Sequence, residues 1–585
     1  MIKNQNRVVS EESRLRQLLI EIYKDHSEEE VNIVSSQLLQ ILEEFSQKSG
    51  YEENQNKELW DQTSSILITY ADGVYKNDES SIKTLQQVID NYFDKLSSIV
   101  HILPFLRSTS DGGFAVSSHN SIEKRFGDWE DLKSFSTNHE IMADLVLNHI
   151  SSSHKWVKQF IKNEEPGTSF VLSPSQALDW QKVIRPRSSS LFVDIATSQG
   201  LKPVWTTFGP DQIDLNWLNP YLNIEFLNLI KRYVSSGINW LRLDAVGFIW
   251  KEPGTTCLHL NEVHKIVKVL RIQLKSLSNK GVLITETNVP QRENLSYLES
   301  GDEADIAYNF PLPPLILEAL ISNKADLLNS WLSNWPDLNN KTTFLNFTAS
   351  HDGVGLRAVE GIMNEDRLKN LLINCERRGG LVTHRKLSNG GEKPYELNIS
   401  WWSAMADGGR NPRIYQMEKF LLSQLLVMSL KGIPAFYFQA LLASENDMKT
   451  FLNSGQRRDL NRERFEYEKL ELILKDSNSY ASKILFSLNK AMIIRGSLNS
   501  FHPNQEFKCL TKDRSDVVTI KRGNGNNTIW AIHNITSSKL TYKISDSFLL
   551  NKQEDIILID LLTNQYFYDF TLDLQPYEVV WLGLK

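Results

Sequence analysis

Apolar residues near the start of the chain recur at i, i+3 and i+4. RLRQLLIEIY (14–23) and VNIVSSQLLQILEEF (31–45) therefore predict two amphipathic helices, a peripheral extension expected to cap one end of the fold. From Ser64 the pattern changes. SSILITYAD reads as a buried strand, SSIKTLQQVIDNYFDKL (80–96) as an amphipathic helix and IVHILPFL (99–106) as a second apolar, β-branched strand. The alternation continues with strands in MADLVLNH (142–149), INWLRLDAV (238–246), VLITET (282–287), ADIAYNF (304–310), TTFLNFTAS (342–350) and IPAFYFQ (433–439). Helices are predicted over 220–237 and 261–281, each closed by a glycine. Eight strand and helix units in this order predict an α/β fold, a (β/α)8 TIM barrel, with a doubly wound sheet as the alternative. No Gly-rich phosphate fingerprint follows the first strand, which weighs against that alternative.

Two long stretches interrupt the alternation, one after the third strand and one after the seventh. Both leave the C-terminal ends of strands, where barrels build their sites. Beyond about 500 short alternating runs such as VVTIKRGNGNNTIWAIHNI and EVVWLGL predict an all-β domain. The expected organisation is a helical N-terminal extension (1–60), barrel segments (61–149, 217–352 and 416–499), insertions (150–216 and 353–415) and a C-terminal β domain (500–585).

The 585 residues are 41% hydrophobic and 23% charged, a globular balance that excludes wholesale disorder. A formal charge of −7 argues against a nucleic-acid partner. The apolar tract 420–438 is broken by Ser423, Gln424, Lys431 and Pro434, so a buried helix and strand are expected rather than a membrane span. Three scattered cysteines, Cys257, Cys375 and Cys509, read as reduced thiols, and the first residues lack a signal-peptide core. A cytoplasmic protein is expected.

Candidate chemistry gathers at strand ends. In WLRLDAV, Arg242 and Asp244 share the face pointing to the barrel axis; read alone, they could equally be a structural ion pair. Glu286 ends the fifth strand, His351 and Asp352 the seventh, His149 the third, and Asp111 follows the second. Retaining glycoside transfer needs an ionised carboxylate and a protonated carboxyl roughly 5–5.5 Å apart, a spacing that neighbouring strands supply. Arg242 is expected to keep Asp244 ionised, and a drier, acidic setting to raise Glu286. Asp352 would hold sugar hydroxyls, and the two histidines could donate to others. Arg185 and Arg187 suit an anion, though RPR could be a surface turn.

DLVLNH, LRLDAVGFIWKEPGT, ITETNVP and SHDGVG resemble the four signature regions of the α-amylase superfamily of retaining glycoside enzymes. HILPFL with SDGGF, RPR, ETNVPQRENLSY, PYELNISWWSAM and RRDLNRERF look like its sucrose phosphorylase subfamily. The resemblance implies Asp244 as nucleophile, Glu286 as acid and base, and Asp352 as transition-state stabiliser. It implies Asp111, His149, Arg242, His351 and Arg462 around the donor glucosyl ring, and Arg187, Tyr395 and Glu396 on loops holding acceptor or phosphate.

The N-terminal extension, the Gly-rich loop at 379–391 and PYELN look most like the glucosylglycerate phosphorylases. They imply reversible phosphorolysis of 2-O-α-glucosylglycerate to α-glucose 1-phosphate and glycerate. Sucrose, sucrose 6′-phosphate and glucosylglycerol are alternative substrates. An α-glucoside hydrolase or transglucosidase and a non-catalytic amylase-like binding protein are alternative functions. Cations for an acidic acceptor would come from Arg187, Arg377, Arg378, His384 and Arg385. His119 stands where relatives commonly have Tyr, which would weaken stacking on the donor sugar. Gln439 and Glu445 stand where relatives more often have His and Arg. The expected partners are a small-molecule sugar and inorganic phosphate, with no membrane, no cofactor and no metal, and a homodimer as the assembly.

Overall fold

The computed structural model describes residues 2–49, 58–187, 189–386, 391–408, 413–544, 557–568 and 570–585. Eight parallel strands close into a barrel: β1 (Ile66–Thr69), β2 (Ile99–Ile102), β3 (Glu140–Val146), β4 (Ile238–Asp244), β5 (Val282–Thr285), β6 (Ile306–Tyr308), β7 (Thr343–Phe347) and β8 (Ile433–Tyr437). Each lies beside its sequence neighbours, and β8 pairs back onto β1 through Ile66↔Ala435. Helices cover the outside and side chains fill the inside, so β1, β2 and β5 are buried at every position. All eight strands form where the apolar runs placed them.

The helices follow the same logic with two departures. Ser81–Val88 widens into a π-helical turn over Ile89–Phe93. The helix predicted to 281 stops at Leu277, because Ser278 turns extended; Gly281 is not its cap but packs against the Leu274 side chain. After the helix Leu222–Ser235, Gly237 does take the expected left-handed φ of 82°.

The N-terminal extension forms α1 (Ile2–Ile22) and α2 (Glu28–Ser49). It does not cap a barrel end. The two helices lie on the flank of the helical ring, α1 along α4 (Asn261–Leu277) and α2 across α3 (Leu222–Ser235) and α4. Asn223 Nδ2 donates to the buried Tyr23 hydroxyl at 2.7 Å, and Lys265 pairs with Glu21 at 3.3 Å. Apolar residues at i, i+3 and i+4 need a facing stripe, and an outer helix offers one where a barrel mouth does not.

The C-terminal region forms a six-stranded antiparallel sheet and a two-stranded one. Two fully buried guanidiniums stitch it to the barrel through backbone carbonyls. Arg495, on the last barrel helix, donates to Gly432 and to Phe501 of the C-terminal region, and Arg522 reaches back to Ser429 and Leu430. Burial pushes both down to about 9, opposed at Arg495 by Asp61 and reinforced at Arg522 by Arg495. The three cysteines are free and buried. Among the described residues no helix is long and apolar enough to cross a membrane. The 420–438 tract divides into the helix Gln416–Ser429 and β8.

Candidate active site

The strand register builds the floor of the site. β4 pairs with β3 through Arg242↔Asp144 and with β5 through Leu243↔Thr285, so the next residues, Asp244 and Glu286, leave the barrel side by side. Alternation turns Arg242 and Asp244 inward together, as the sequence required. Ala245 then adopts a left-handed φ of 52°, and its N–H lies 3.4 Å from Glu286 Oε2. A non-glycine residue in that region is strained, and here it turns the chain sharply at the strand end.

Arg242 is the hub. Its Nη1 donates to Asp144 and, at 3.0 Å, to Asp244 Oδ1, while Nη2 lies 3.5 Å from Glu286 Oε2. His101 Nε2 meets the far side of Asp144 at 2.9 Å. Three carboxyls thus surround one guanidinium. Asp144 is held down at about 2: burial raises it, but Arg242 and His101 outweigh burial. The guanidinium is shared with Asp144, which departs from the expectation that Arg242 keeps Asp244 ionised. Burial, opposed by Arg242 and reinforced by acidic neighbours, pushes Asp244 well above the usual range and raises Glu286 too. The pair therefore retains a proton where isolated carboxyls would have lost it.

Asp352 faces them from β7. Burial pushes it up, but Arg458, Arg242, Arg462 and Arg187 together hold it below the ordinary carboxylate range. Arg458 Nη1 lies 2.5 Å from its Oδ1, and Arg462 Nη2 3.9 Å. Replacing Arg458 by glutamine removes the first of those counter-charges. The Asp352 carboxyl then rises, and the acid limb of the kcat/KM profile is expected to move to higher pH. A pH series of phosphate release checks this, and an unmoved limb contradicts it.

An open hollow of about 710 Å³ lies above this floor. Of the residues singled out from sequence, Asp111, His149, Arg187, Asp244, Glu286, His351, Asp352 and Tyr395 line it. Arg242 lies beneath it. Arg462 sits behind the wall, with Nε on the His351 carbonyl at 2.9 Å and its guanidinium 5.6 Å from the Tyr70 ring. Glu396 is not on the wall: it is 3% exposed, gripped by Arg458 at 3.0 and 2.6 Å and by Asn398 at 2.6 Å. It reaches the hollow only through Arg458.

The two histidines differ. Gln212 Nε2 lies 3.1 Å from both His149 Nε2 and Asp111 Oδ2, which ties those groups together. Among the described residues His351 has no hydrogen-bond partner at either ring nitrogen, although Asp352 Oδ1 lies 3.5 Å from its Nε2, and it stacks on Phe114 with ring centroids 5.2 Å apart. Burial pushes it well below its ordinary value, so it is a neutral imidazole free to donate.

Several expectations are corrected. Arg377, Arg378, His384 and Arg385 do not line the hollow; Arg378 binds the Ala406 carbonyl and Arg385 pairs with Glu360 at 2.8 Å. Residues 387–390 of the Gly-rich loop lie outside the described residues. His119 is not beside the donor subsite: it packs against His154 and Trp156 in a separate hollow. Phe114 supplies the aromatic wall instead. Gln439 donates to the Glu463 carbonyl and Glu445 pairs with Arg413, both away from the hollow. Arg185 also lies off the wall. Sequence reasoning missed Arg458, Gln212 and Phe114, although RRDLNRERF and SDGGF contain two of them.

Near Asn148 a lysine ammonium occupies the polar pocket. Lys251 Nζ lies 2.6 Å from Asp214 and 2.7 Å from Asn148 Oδ1, and Thr207 also binds Asp214. Among the described residues no group of three or more His, Cys, Asp or Glu is arranged to hold a metal. Lys251→Ala strands the fully buried Asp214, and is expected to cost about 3–5 kcal/mol in chemical unfolding.

The alpha amylase catalytic-domain profile matches residues 69–373, from β1 to the helix beyond β7. The chain belongs to the alpha-amylase family. Glucosylglycerate phosphorylase of Allomeiothermus silvanus is 35% identical over 541 residues, spanning 91% of this chain and 93% of that protein. The Escherichia coli protein of that name is 32% identical over 529 residues, 90% and 93% of the two chains. The fold of this alpha-amylase family member matches sucrose 6F-phosphate phosphorylase from Thermoanaerobacter thermosaccharolyticum with a TM-score of 0.70 at 24% identity. That match covers 81% of this chain and 94% of the other.

Proposed function

We propose that the protein catalyses reversible phosphorolysis of 2-O-α-glucosylglycerate, giving α-glucose 1-phosphate and glycerate with retained configuration. The geometry supports the chemistry: Asp244 and Glu286 flank one guanidinium while Asp352 faces them ionised. Likeness to glucosylglycerate phosphorylases over nine-tenths of the chain carries the choice of acceptor.

In the first step an Asp244 oxygen attacks the anomeric carbon as the bond to glycerate breaks, and Glu286 gives its proton to the departing oxygen. A leaving oxygen placed against Glu286 selects the arrangement with the pair's proton there and the negative charge on Asp244, where Arg242 is nearest. In the second step a phosphate oxygen attacks the glucosyl-enzyme from the opposite face, Asp244 departs, and the phosphate proton restores the one Glu286 gave up. Asp352 holds sugar hydroxyls as positive charge develops on the ring. Asp111, His149 and His351 hold the donor, with Arg462 positioning His351 and Asp352 from behind. Arg187 and Tyr395 meet acceptor or phosphate, and Glu396 positions Arg458.

The test supplies α-glucose 1-phosphate with glycerate, glycerol, fructose, fructose 6-phosphate or water, and measures phosphate release. Glycerate is expected to give kcat/KM at least about a hundredfold above the neutral acceptors, the scale of discrimination by a site built for a charged group. Release independent of any acceptor contradicts a phosphorylase and supports a hydrolase.

A further inference from the structure

A third arginine faces the hollow, apart from Arg187 and Arg458. Arg357 opens the helical turn Arg357–Val359, five residues past Asp352, and is 7% exposed. Among the described residues its Nε has no hydrogen-bond partner. Among the described residues its ion pair is with Glu293, at a loose 3.9 Å, and that carboxylate is 42% exposed. A buried guanidinium so weakly compensated is costly, and its unused fork matches a carboxylate in shape. His259 lines the same hollow from the loop after β4. Its Nδ1 lies 2.7 Å from the Tyr297 hydroxyl, a phenol that burial keeps protonated. In the tautomer where Tyr297 donates to Nδ1, the His259 proton sits on Nε2, which has no hydrogen-bond partner among the described residues.

The remaining surroundings narrow what these donors hold. The floor of the hollow is acidic, so an anion is repelled there. Arg458 is consumed by Glu396 and Asp352. Two anions must nonetheless be recognised if the function above is right, phosphate and the acceptor acid. Arg187 stands on the Asp352 side, where its charge helps to lower both Asp352 and Glu396. We propose that Arg357, with Nε2 of His259, binds the carboxylate of the acceptor acid and so selects glycerate over neutral polyols. This assignment rests on the proposed function.

The experiment compares glycerate with glycerol, in which an uncharged hydroxymethyl group replaces the carboxylate, as acceptors from α-glucose 1-phosphate. R357Q is expected to lower the glycerate-to-glycerol ratio of kcat/KM at least about tenfold, chiefly through the KM for glycerate, as loss of a charge-assisted hydrogen bond requires. E293Q removes a competing carboxylate 3.7 Å from His259 and 3.9 Å from Arg357, and is expected to raise that ratio. If Arg357 and Glu293 were merely a structural pair, both variants would depress the two acceptors alike. An unchanged ratio in R357Q overturns the assignment. Should R357Q not fold, E293Q decides: a raised ratio supports the assignment, and an unchanged or lowered one overturns it. A wild-type enzyme that ignores glycerate overturns the function itself, whereas one that uses glycerate with an indifferent R357Q overturns only the role of Arg357.

Discussion

Asp244→Ala is expected to lower turnover by about four to six orders of magnitude and to leave the fold intact. The size follows from what is removed. Without the carboxylate no covalent glucosyl-enzyme forms, and neither binding nor the proton on Glu286 replaces that path. Intactness follows from the electrostatics. Arg242 keeps its buried partner Asp144, and the site loses one of three carboxyls crowded on one guanidinium. Asp244 also sits at a strand end, with its side chain 12% exposed into the hollow, so truncation opens no closed core cavity. The thermal midpoint should stay level or rise slightly. Phosphate release and a melting curve on the same preparation check both halves. An active Asp244→Ala variant removes the mechanism, and an unfolded one contradicts the electrostatic account.

Much of this was legible in the sequence, for reasons of period. A barrel strand buried on both faces has to read as a short apolar run, and the turns between such runs show which end carries the polar residues. Asp244, Glu286 and Asp352 stood out because each is a carboxyl at the end of such a run. Alternation alone put Arg242 and Asp244 on one face, and the structure gives them a 3.0 Å hydrogen bond.

The rest depends on contacts that no period encodes. Glu396 looks like an acceptor-loop residue until Arg458, 62 positions away, takes both its oxygens. Arg458 in RRDLNRERF is indistinguishable by local pattern from Arg457, which is exposed and binds the Val382 carbonyl. His119 follows SDGGF closely in sequence, yet its strand carries it toward Trp156 and out of the hollow. The N-terminal helices show the same limit: their amphipathic stripe is plain, but only the outer faces of α3 and α4 reveal where it docks.

Glu286→Gln separates the two chemical halves of the reaction. Cleavage of glucosylglycerate expels an alcohol oxygen, a poor leaving group without a proton, and the amide cannot supply one. Turnover of the glucoside is expected to fall by about three to four orders of magnitude, the upper range of general acid catalysis. Phosphate is different: its second pKa is about 6, so it leaves and attacks without help from a carboxyl. Exchange of labelled inorganic phosphate into α-glucose 1-phosphate uses only that half. It should fall at least about a hundredfold less than glucoside cleavage, because the alcohol step alone loses the general-acid factor. Glutamine keeps the size of the side chain and an acceptor oxygen for the Ala245 N–H, so a collapsed site would not explain such a split. The pH profile gives an independent reading. Glu286 is raised by burial, opposed by Arg242 and reinforced by Asp352, and cleavage by the wild type should decline as pH rises through that elevated value. Phosphate exchange does not use that proton and should lack the basic limb in the wild type and the variant alike. Equal losses in both reactions would mean that Glu286 serves binding or shape, and the assignment of acid and base would have to move to another carboxyl on the same floor.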